Sequence, residues 1–202
     1  MELRLGEVAT VRSGLVLSRK QARNATKYRY KLLNLRSVNP GGYIDVENSD
    51  LYDAVEPLNP AYLSHAGDVV IRLSSPYTAV LIDSATSGMV ISSNFAIVRP
   101  DQDCLLAEYL YWLLNTAKVK HQIFENTSSN MLGAVKPRYF ADFEISPISI
   151  ENQEKIAALN LLAHRECQLL NELATEKEKY YSFTINQIQK QMRRGISHDD
   201  KK

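Results

Sequence analysis

The sequence predicts an α+β protein in which a mixed, β-rich globular head is followed by one long α-helix. Up to Pro147, short runs of β-branched and apolar residues alternate with Pro, Gly and Asn turn signals. Between Pro147 and Gly195 there is no Pro or Gly at all. We therefore assign residues 1–148 to the head, 149–194 to the helix and 195–202 to a disordered tail. A helix over 150–194 would be roughly 65 Å long at about 1.5 Å per residue, more than such a head needs to cover its core.

The head begins with a helical or turn-forming segment at 3–11, and a basic loop follows at 13–27. The Asn-Pro-Gly-Gly sequence at 39–42 marks a turn between two strands, and Gly67-Asp68 introduces a buried strand. Apolar residues share one face from 105 to 119, which predicts a helix. In chain order, strands are predicted at 30–35, 43–46, 67–73, 79–83, 89–98 and 143–145, with a polar loop at 126–130.

An apolar stripe runs along the predicted long helix at three- and four-residue steps. Lys177 and Thr184 interrupt it, so an isolated two-stranded coiled coil would be imperfect. Two explanations stay open, packing of the helix on its own head and pairing with a second helix. We favour a homodimer, because a rod of roughly 65 Å would overhang a head whose radius of gyration is about 15 Å. The stripe consists of Ile156, Leu159, Ala163, Cys167, Leu170, Ala174, Tyr181, Ile188 and Met192, widened by Leu162, Leu169 and Leu173.

Composition indicates a folded domain that needs no disulfide. Hydrophobic residues make up 45% of the chain, which is enough for one core. Cys104 and Cys167 have no CxxC partner, and we interpret them as reduced thiols. The first ten residues include charged side chains and lack the apolar core of a signal peptide. No stretch of the chain approaches the roughly 18 consecutive apolar residues that a transmembrane helix needs. We therefore expect a cytoplasmic protein that is neither secreted nor membrane-spanning.

The charge is unevenly distributed although the net charge is only +1. No acidic residue lies between Glu7 and Asp45, and that interval holds eight basic residues, which we call the basic block. A local positive field can orient a polyanion on a neutral protein. A solvated surface loop is the alternative, and charge alone does not decide between them. The basic block comprises Arg12, Arg19, Lys20, Arg23, Lys27, Arg29, Lys31 and Arg36.

The sequence shows no arrangement typical of catalysis or metal binding. The four histidines are scattered, with no HExxH motif, and no GxxxxGK[ST] or GxGxxG loop occurs. His164 and Cys167 lie three residues apart on the helix, but two ligands do not close a metal site, so we interpret them as packing residues. Asp142 and Glu144 lack the nearby lysine of a PD…(D/E)xK nuclease. We predict a protein that is not an enzyme, with no catalytic residue, no metal and no cofactor.

Five short motifs follow one another along nearly the whole chain. They are Leu3-x-Leu5-Gly6-Glu7-Val8-Ala9 with Ser13-Gly14, Gly67-Asp68-Val69-Val70-Ile71, Asn94-Phe95-Ala96-Ile97-Val98-Arg99-Pro100, Glu108-Tyr109-Leu110, and the junction from Pro147 to Ala157. Their order and spacing resemble the DNA-specificity (S) subunits of type I restriction–modification enzymes. The junction is similar to the family's proline followed by Gln-x-Lys-Ile-Ala, here Gln153 to Ala157, at the start of its long helix.

The resemblance implies a target recognition domain followed by one spacer helix. In the family, a full S subunit has two such domains and two antiparallel helices, and separate methyltransferase (M) subunits supply the chemistry. This chain has one copy, so a natural half-subunit, a truncation and a silent cassette all stay open. The implied partners are double-stranded DNA, M subunits and a second copy of the chain, with a restriction (R) subunit left open. The alternative function is a protein-interaction head on an oligomerising helical stalk.

Residues 12–29 and 126–139 are the candidate DNA-contacting segments. Lys and Arg can meet phosphates, Arg can also pair with guanine, and Asn130 suits adenine. Arg72 either contacts DNA or forms an internal ion pair. The candidate DNA-binding residues are Arg12, Arg19, Lys20, Arg23, Lys27, Arg29, Arg72, Asn130, Lys136, Arg138 and Tyr139. The candidate residues for a partner helix are Ile156, Leu159, Ala163, Leu170, Leu173, Tyr181 and Ile188.

Overall fold

A computed structural model describes residues 2–127 and 133–199, with side chains described as far as Arg193. The chain divides into a head unit, Met1–Leu159, and a helical unit, Asn160–Lys202. The strands are β1 (Leu3–Arg4), β2 (Ala9–Ser13), β3 (Arg29–Leu33), β4 (Asp50–Asp53), β5 (Val69–Arg72), β6 (Ala79–Leu81), β7 (Val90–Ile91), β8 (Phe95–Pro100) and β9 (Glu144–Ile145). The helices are α1 (Leu5–Val8), α2 (Ala107–Asn115), α3 (Ala117–Thr127), α4 (Pro137–Ala141) and α5 (Ile150–Asp199). The predicted α+β class with a long C-terminal helix is confirmed.

A four-stranded antiparallel sheet in the order β2-β8-β5-β6 forms the centre of the head. Because side chains alternate along a strand, Val69 and Ile71 point to one face and Val70 to the other. The first face packs in one cluster with Leu110 and Phe140 from the helices. The second face packs in another cluster with residues from β3 and β7. Burial on both faces explains why β5 reads as a continuous apolar run.

The remaining strands form two smaller sheets. In the three-stranded sheet, ordered β4-β3-β7, β3 runs antiparallel to β4 and parallel to β7. Leu32, Tyr52 and Val90 from this sheet lie in a third buried cluster. The two-stranded sheet pairs β1 with β9, so the start of the chain is joined to the segment just before α5.

Asn115, the last residue of α2, covers the outer edge of β6. Its Nδ2 donates to the carbonyl oxygen of Ala79 at 2.9 Å, and its Oδ1 accepts from the amide of the same residue at 3.2 Å. The side-chain amide thus bonds to Ala79 as a neighbouring strand would.

A glycine at position 14 is required by a close approach between two backbone segments. A Cβ on Gly14 would overlap the carbonyl oxygen of Ser92. The amide of Gly14 donates to the carbonyl of Phe95 at 3.2 Å, and that of Leu15 donates to Ile91 at 2.7 Å. The Ser13-Gly14 motif therefore marks the point where the chain leaves β2 and crosses towards β7.

The structure corrects the predicted strand at 43–46, which is reduced to one isolated bridge between Val38 and Ile44. The chain turns again directly after this bridge, because the carboxylate of Asp45 accepts from the amides of Glu47 and Asn48. A strand absent from the prediction, β4, follows at Asp50–Asp53. Its two aspartates have low β-propensity, so the sequence of this strand lacks the usual alternation of apolar and polar residues.

The predicted helix at 105–119 is two helices, divided at Thr116. This residue has an extended backbone, with φ −63° and ψ 145°. Its hydroxyl donates to the carbonyl of Leu113 at 2.7 Å and accepts from the amide of Val119 at 3.4 Å. One threonine side chain therefore bonds to the end of α2 and to the start of α3, as capping residues do.

Other boundaries differ from the predictions for local reasons. The predicted strand at 89–98 is divided between β7 and β8, which belong to different sheets. The opening segment at 3–11 contains one helical turn between two strands. The short helix α4 was not predicted, although Pro137 at its first turn is a typical start signal. Helix α5 continues past Arg194 and Gly195 to Asp199, so residues 195–199 of the predicted tail are helical, and residues 200–202 lie outside the described part.

Candidate nucleic-acid interface

Four segments of the head meet at one end of the four-stranded sheet, which we call the open end. They are residues 12–14 at the end of β2, 72–78 from the end of β5, 92–95 at the start of β8, and 133–136. The amide of Leu73 donates to the carbonyl of Asn94 at 3.0 Å, and the amide of Val135 donates to the carbonyl of Leu73 at 2.8 Å. None of the four segments contains Asp or Glu, whereas Arg12, Arg72 and Lys136 lie within them. The open end is therefore a polar, positively charged surface on a rigid support.

Tyr77 fixes the segment that reaches the open end from α3. Its hydroxyl lies 2.9 Å from the hydroxyl of Thr127 and donates to the carbonyl of Gly133 at 3.0 Å. A backbone bridge also joins Ser74 to Ala134. In the candidate DNA-contacting segment 126–139, the described residues on both sides of 128–132 are thus bonded to the connection between β5 and β6.

Arg72 makes no ion pair with any described residue, so the internal ion pair that the sequence left open is not formed there. It lies opposite Phe95 on β8, and its amide donates to the carbonyl of Thr78 at 3.0 Å. The side chain is half-buried, and its Nε is buried with no hydrogen-bond partner among the described residues. Within the same part of the chain, the hydroxyl of Thr78 is also buried without a partner.

At the opposite end of the same sheet, which we call the closed end, an arginine is fully paired. Arg99 donates from Nε to Oδ1 of Asp68 at 2.6 Å and from Nη2 to Oδ2 at 2.8 Å. Its Nη2 also lies 2.6 Å from Nδ1 of His65. Only 1% of the Asp68 side chain is exposed, and its hydrogen bonds raise the pKa of the Arg99 guanidinium. This cluster holds the turn before β5 to β8.

Acids from residues 50–56 pair with three members of the basic block. Lys20 contacts Glu56, Arg29 pairs with Asp53, and Arg36 pairs with Asp50 at 2.7 Å. The Arg29 pair is bidentate, with distances of 2.9 and 3.1 Å. The hydrogen bond between them raises the pKa of Arg29 and lowers that of Asp53. Much of the positive charge predicted here is therefore balanced within the head.

The other members of the block are free of such acids in the described part of the head. Arg19 and Arg23 are exposed and form no ion pair with a described residue. The ammonium of Lys27 lies 5.0 Å from the ring centroid of Tyr28, within cation–π range. Arg12 is half-buried on β2, opposite Ile97.

The second candidate segment ends on α4. Lys136 precedes the helix and is exposed, whereas Arg138 lies 3.4 Å from the carboxylate of Asp142. Tyr139 is half-buried, its hydroxyl accepts from Nδ2 of Asn126 at 3.4 Å, and burial raises its pKa. Asn130, which we predicted to suit adenine, lies outside the described residues. Lys136 is the member of this group that is exposed and without an acidic partner among the described residues.

The start of α5 belongs to the head unit and is fixed by Gln153, a residue that the site prediction omitted. Its side chain is fully buried. Its Oε1 accepts from the amide of Leu106 at 2.9 Å, and its Nε2 donates to the carbonyls of Cys104 at 3.1 Å and Ile148 at 2.8 Å. Ile156 packs on the same core. The sequence contained a signal for this residue, because Gln153 is the first residue of the Gln-x-Lys-Ile-Ala motif.

The helical unit has exposed apolar side chains along its described length. Leu170 is 58% exposed, Leu173 51% and Tyr181 57%. Ile188 and Ala163 are also exposed, as is Leu159 at the end of the head unit. Isolated large apolar residues on a surface are ordinary, but a stripe that continues over many turns is typical of a helix with a partner.

Among the residues that the structure describes, no group of three or more His, Cys, Asp or Glu side chains is placed to hold a metal ion. No described helix is long and apolar enough to cross a membrane.

No family model and no curated protein matches this chain. Several solved structures do match this chain. The HsdS subunit from Thermoanaerobacter tengcongensis has a TM-score of 0.65 and 18% identity, over 89% of this chain and 45% of that one. The S subunit of a type I restriction–modification system from M. genitalium has a TM-score of 0.53 and 16% identity, over 87% and 42%. A chain from a study of complex assembly in the type I R-M system has a TM-score of 0.59 and 17% identity, over 88% and 41%.

The chain therefore has the fold of type I restriction–modification S subunits, as the resemblance of its motifs implied. It spans less than half the length of each of these solved chains.

Proposed function

We propose that this chain is a DNA-specificity component that directs a type I restriction–modification methyltransferase to its target sequence. The observation that carries the proposal is the shared fold with three S-subunit structures over 87–89% of the chain. The acid-free open end supports it, because a phosphate backbone requires positive charge without neighbouring carboxylates. Such a component acts on chromosomal DNA, so we propose a cytoplasmic location.

The head would hold DNA through two kinds of contact. Arg19, Arg23 and Lys136 are exposed and have no acidic partner among the described residues, which suits phosphate contacts that set register. Lys20 and Arg29 would first have to leave Glu56 and Asp53. We therefore expect them to contribute less than the sequence suggested. Base reading would fall to side chains held on the two central strands, β5 and β8, at the open end. The methyl transfer would be carried out by an M subunit, and an R subunit is a further candidate partner.

The helical unit would supply the partner surface. We propose that two copies place their helices antiparallel around a twofold axis, because the apolar stripe is exposed over many turns. Such a dimer would read a symmetric, interrupted DNA sequence, with half-site spacing set by the separation of the heads. An M subunit covering the same stripe is the competing arrangement.

A DNA-binding titration tests the function. The purified chain, alone and with the M subunit of its host, is titrated with a random-sequence duplex at several salt concentrations. We expect affinity to fall linearly with the logarithm of salt concentration, because bound phosphates release counterions. An affinity that is measurable but independent of salt would favour the alternative, a protein-interaction head on a helical stalk. No DNA binding in either sample would refute the proposal.

Light scattering tests the dimer. Replacing Leu170 and Leu173 with Asp should convert a dimer to a monomer, since buried charges without partners are costly. Asn171→Asp with Thr175→Asp is the matched control, adding two charges to the other side of the helix. A wild-type chain that is monomeric at tens of micromolar would exclude the homodimer. Co-purification of the M subunit with wild type but not with the Leu variant would then identify the M subunit as the occupant of the stripe.

A further inference from the structure

Arg72 differs from the paired arginines of the head. Arg29, Arg36, Arg99 and Arg138 each have a carboxylate within ion-pair distance. Among the described residues, Arg72 has no such carboxylate, and its buried Nε has no acceptor. Such a group does not stabilise the fold, because a buried donor that loses its bond to water is unfavourable. Buried polar groups without partners therefore call for another explanation, and functional sites are one of them.

The strand geometry determines which nitrogens Arg72 can present. The residue is the last of β5, between Phe95 on one neighbouring strand and Thr78 next to β6, and both neighbours are buried. Because Nε is enclosed, the two terminal amino groups of the guanidinium are the donors left for a ligand. Two parallel N–H donors on a strand are held more precisely than the same donors on a loop.

The surroundings of Arg72 match a nucleic-acid groove. The four segments of the open end contain no acidic residue. Lys136 reaches the same end because Val135 bonds to Leu73 at 2.8 Å. Lys136 is thus suited to fix a phosphate beside Arg72.

We propose that Arg72 is a base-reading residue, which recognises guanine by donating from its two terminal amino groups to O6 and N7 in the major groove. This assignment rests on the proposed DNA-binding function. It distinguishes Arg72 from Arg19, Arg23 and Lys136, whose exposed side chains fit phosphate contacts that carry no sequence information.

Selection from a random-sequence duplex library tests the proposal. The full chain, purified with the M subunit of its host, is compared with Arg72→Lys and Arg72→Gln. Arg72→Lys keeps the charge but loses the paired donors. Wild type should enrich a sequence containing a fixed G·C pair, with a preference for guanine of roughly ten- to hundred-fold. Both variants should lose that preference at one position, keep the others, and retain wild-type affinity for non-specific DNA. Their melting temperatures should stay near that of wild type.

The outcomes separate this inference from the function on which it rests. If wild type enriches a sequence and both variants enrich the same one, Arg72 is not a base reader, although the DNA-specificity function stands. If Arg72→Gln weakens binding to every sequence equally while Arg72→Lys does not, Arg72 contacts a phosphate and the proposal is wrong. If wild type enriches no sequence, the proposed function and the role of Arg72 both fail.

Discussion

The two ends of the four-stranded sheet use arginine in opposite ways. At the closed end, Arg99 on β8 is held by both oxygens of the buried Asp68 and lies against His65. At the open end, Arg72 on β5 projects from the same face of the sheet and meets no carboxylate among the described residues. The residue type and the supporting sheet are the same. The difference lies in whether a neighbouring strand or turn supplies an acid.

This contrast shows how a charged residue can be assigned a role from its partner rather than from its type. Asp68 belongs to the turn that enters β5, so the Arg99 pair connects two parts of the fold. The segments around Arg72 have no acid to offer. An arginine paired with a buried carboxylate joins two parts of the fold, whereas an unpaired arginine at a surface is available to a ligand.

The strongest test compares the loss of Asp68 with the loss of Arg72. Asp68→Asn should lower the free energy of unfolding by about 2 kcal/mol, because it removes the buried charged acceptor that holds the partly exposed Arg99 guanidinium to the turn before β5. Arg72→Gln should change it by less than about 0.5 kcal/mol. Urea unfolding followed by circular dichroism measures both. Equal losses would show that the open end is structural as well.

The next test concerns non-specific DNA. Replacing Arg12 and Lys136 with Gln should weaken binding to every sequence and reduce the slope of affinity against salt by about two, one for each lost phosphate contact. Arg19→Gln with Arg23→Gln should act similarly. Titration of a random duplex with the complex of chain and M subunit provides the measurement. If both double variants keep the wild-type slope, the open end and the basic block are solvated surfaces.

A smaller effect on DNA binding is expected where a basic residue already forms an ion pair with an acidic residue. Lys20→Gln combined with Glu56→Gln removes an ion pair without changing the net charge. Its salt slope should differ from that of wild type by less than about half a unit, because the pair does not bind phosphate. Lys20→Gln alone serves as the comparison. A drop of a full unit in the double variant would mean that Lys20 leaves Glu56 for DNA.

The smallest expected effect is on acid stability. The hydrogen bond from Arg29 lowers the pKa of Asp53 below its usual value near 4. Asp53 therefore stabilises the fold above that usual value, and the contribution is lost as the pH falls through the folded-state pKa. Between pH 5 and pH 2, the melting temperature of Asp53→Asn should fall less steeply than that of wild type. An Asp53→Asn profile parallel to that of wild type would contradict the assignment.

Patterns with a local cause could be predicted from the sequence. The long helix follows from the absence of Pro and Gly between Pro147 and Gly195, and β5 follows from a turn leading into a buried apolar run. The break at Thr116 was missed because the apolar period continues through it, and only the hydroxyl bonds reveal two helix ends. The prediction of a strand at 43–46 was wrong, because the chain turns at Asp45 directly after one bridge.

The candidate site was less predictable, because its electrostatics depend on contacts between distant parts of the chain. Arg29 meets Asp53 only through the register of β3 against β4, which no local pattern specifies. The sequence therefore overstated the free charge of the basic block. It also left Arg72 undecided, since its lack of an acid depends on which segments surround the end of β5.

The amide of Asn115 has a consequence for solubility. An exposed strand edge is a template on which another chain can add, and it is a common start of aggregation. At β6 that template is occupied at Ala79, where the Asn115 side chain takes both backbone bonds. A single side chain thus limits the growth of the central sheet beyond β6 and directs new associations of this chain to its other surfaces.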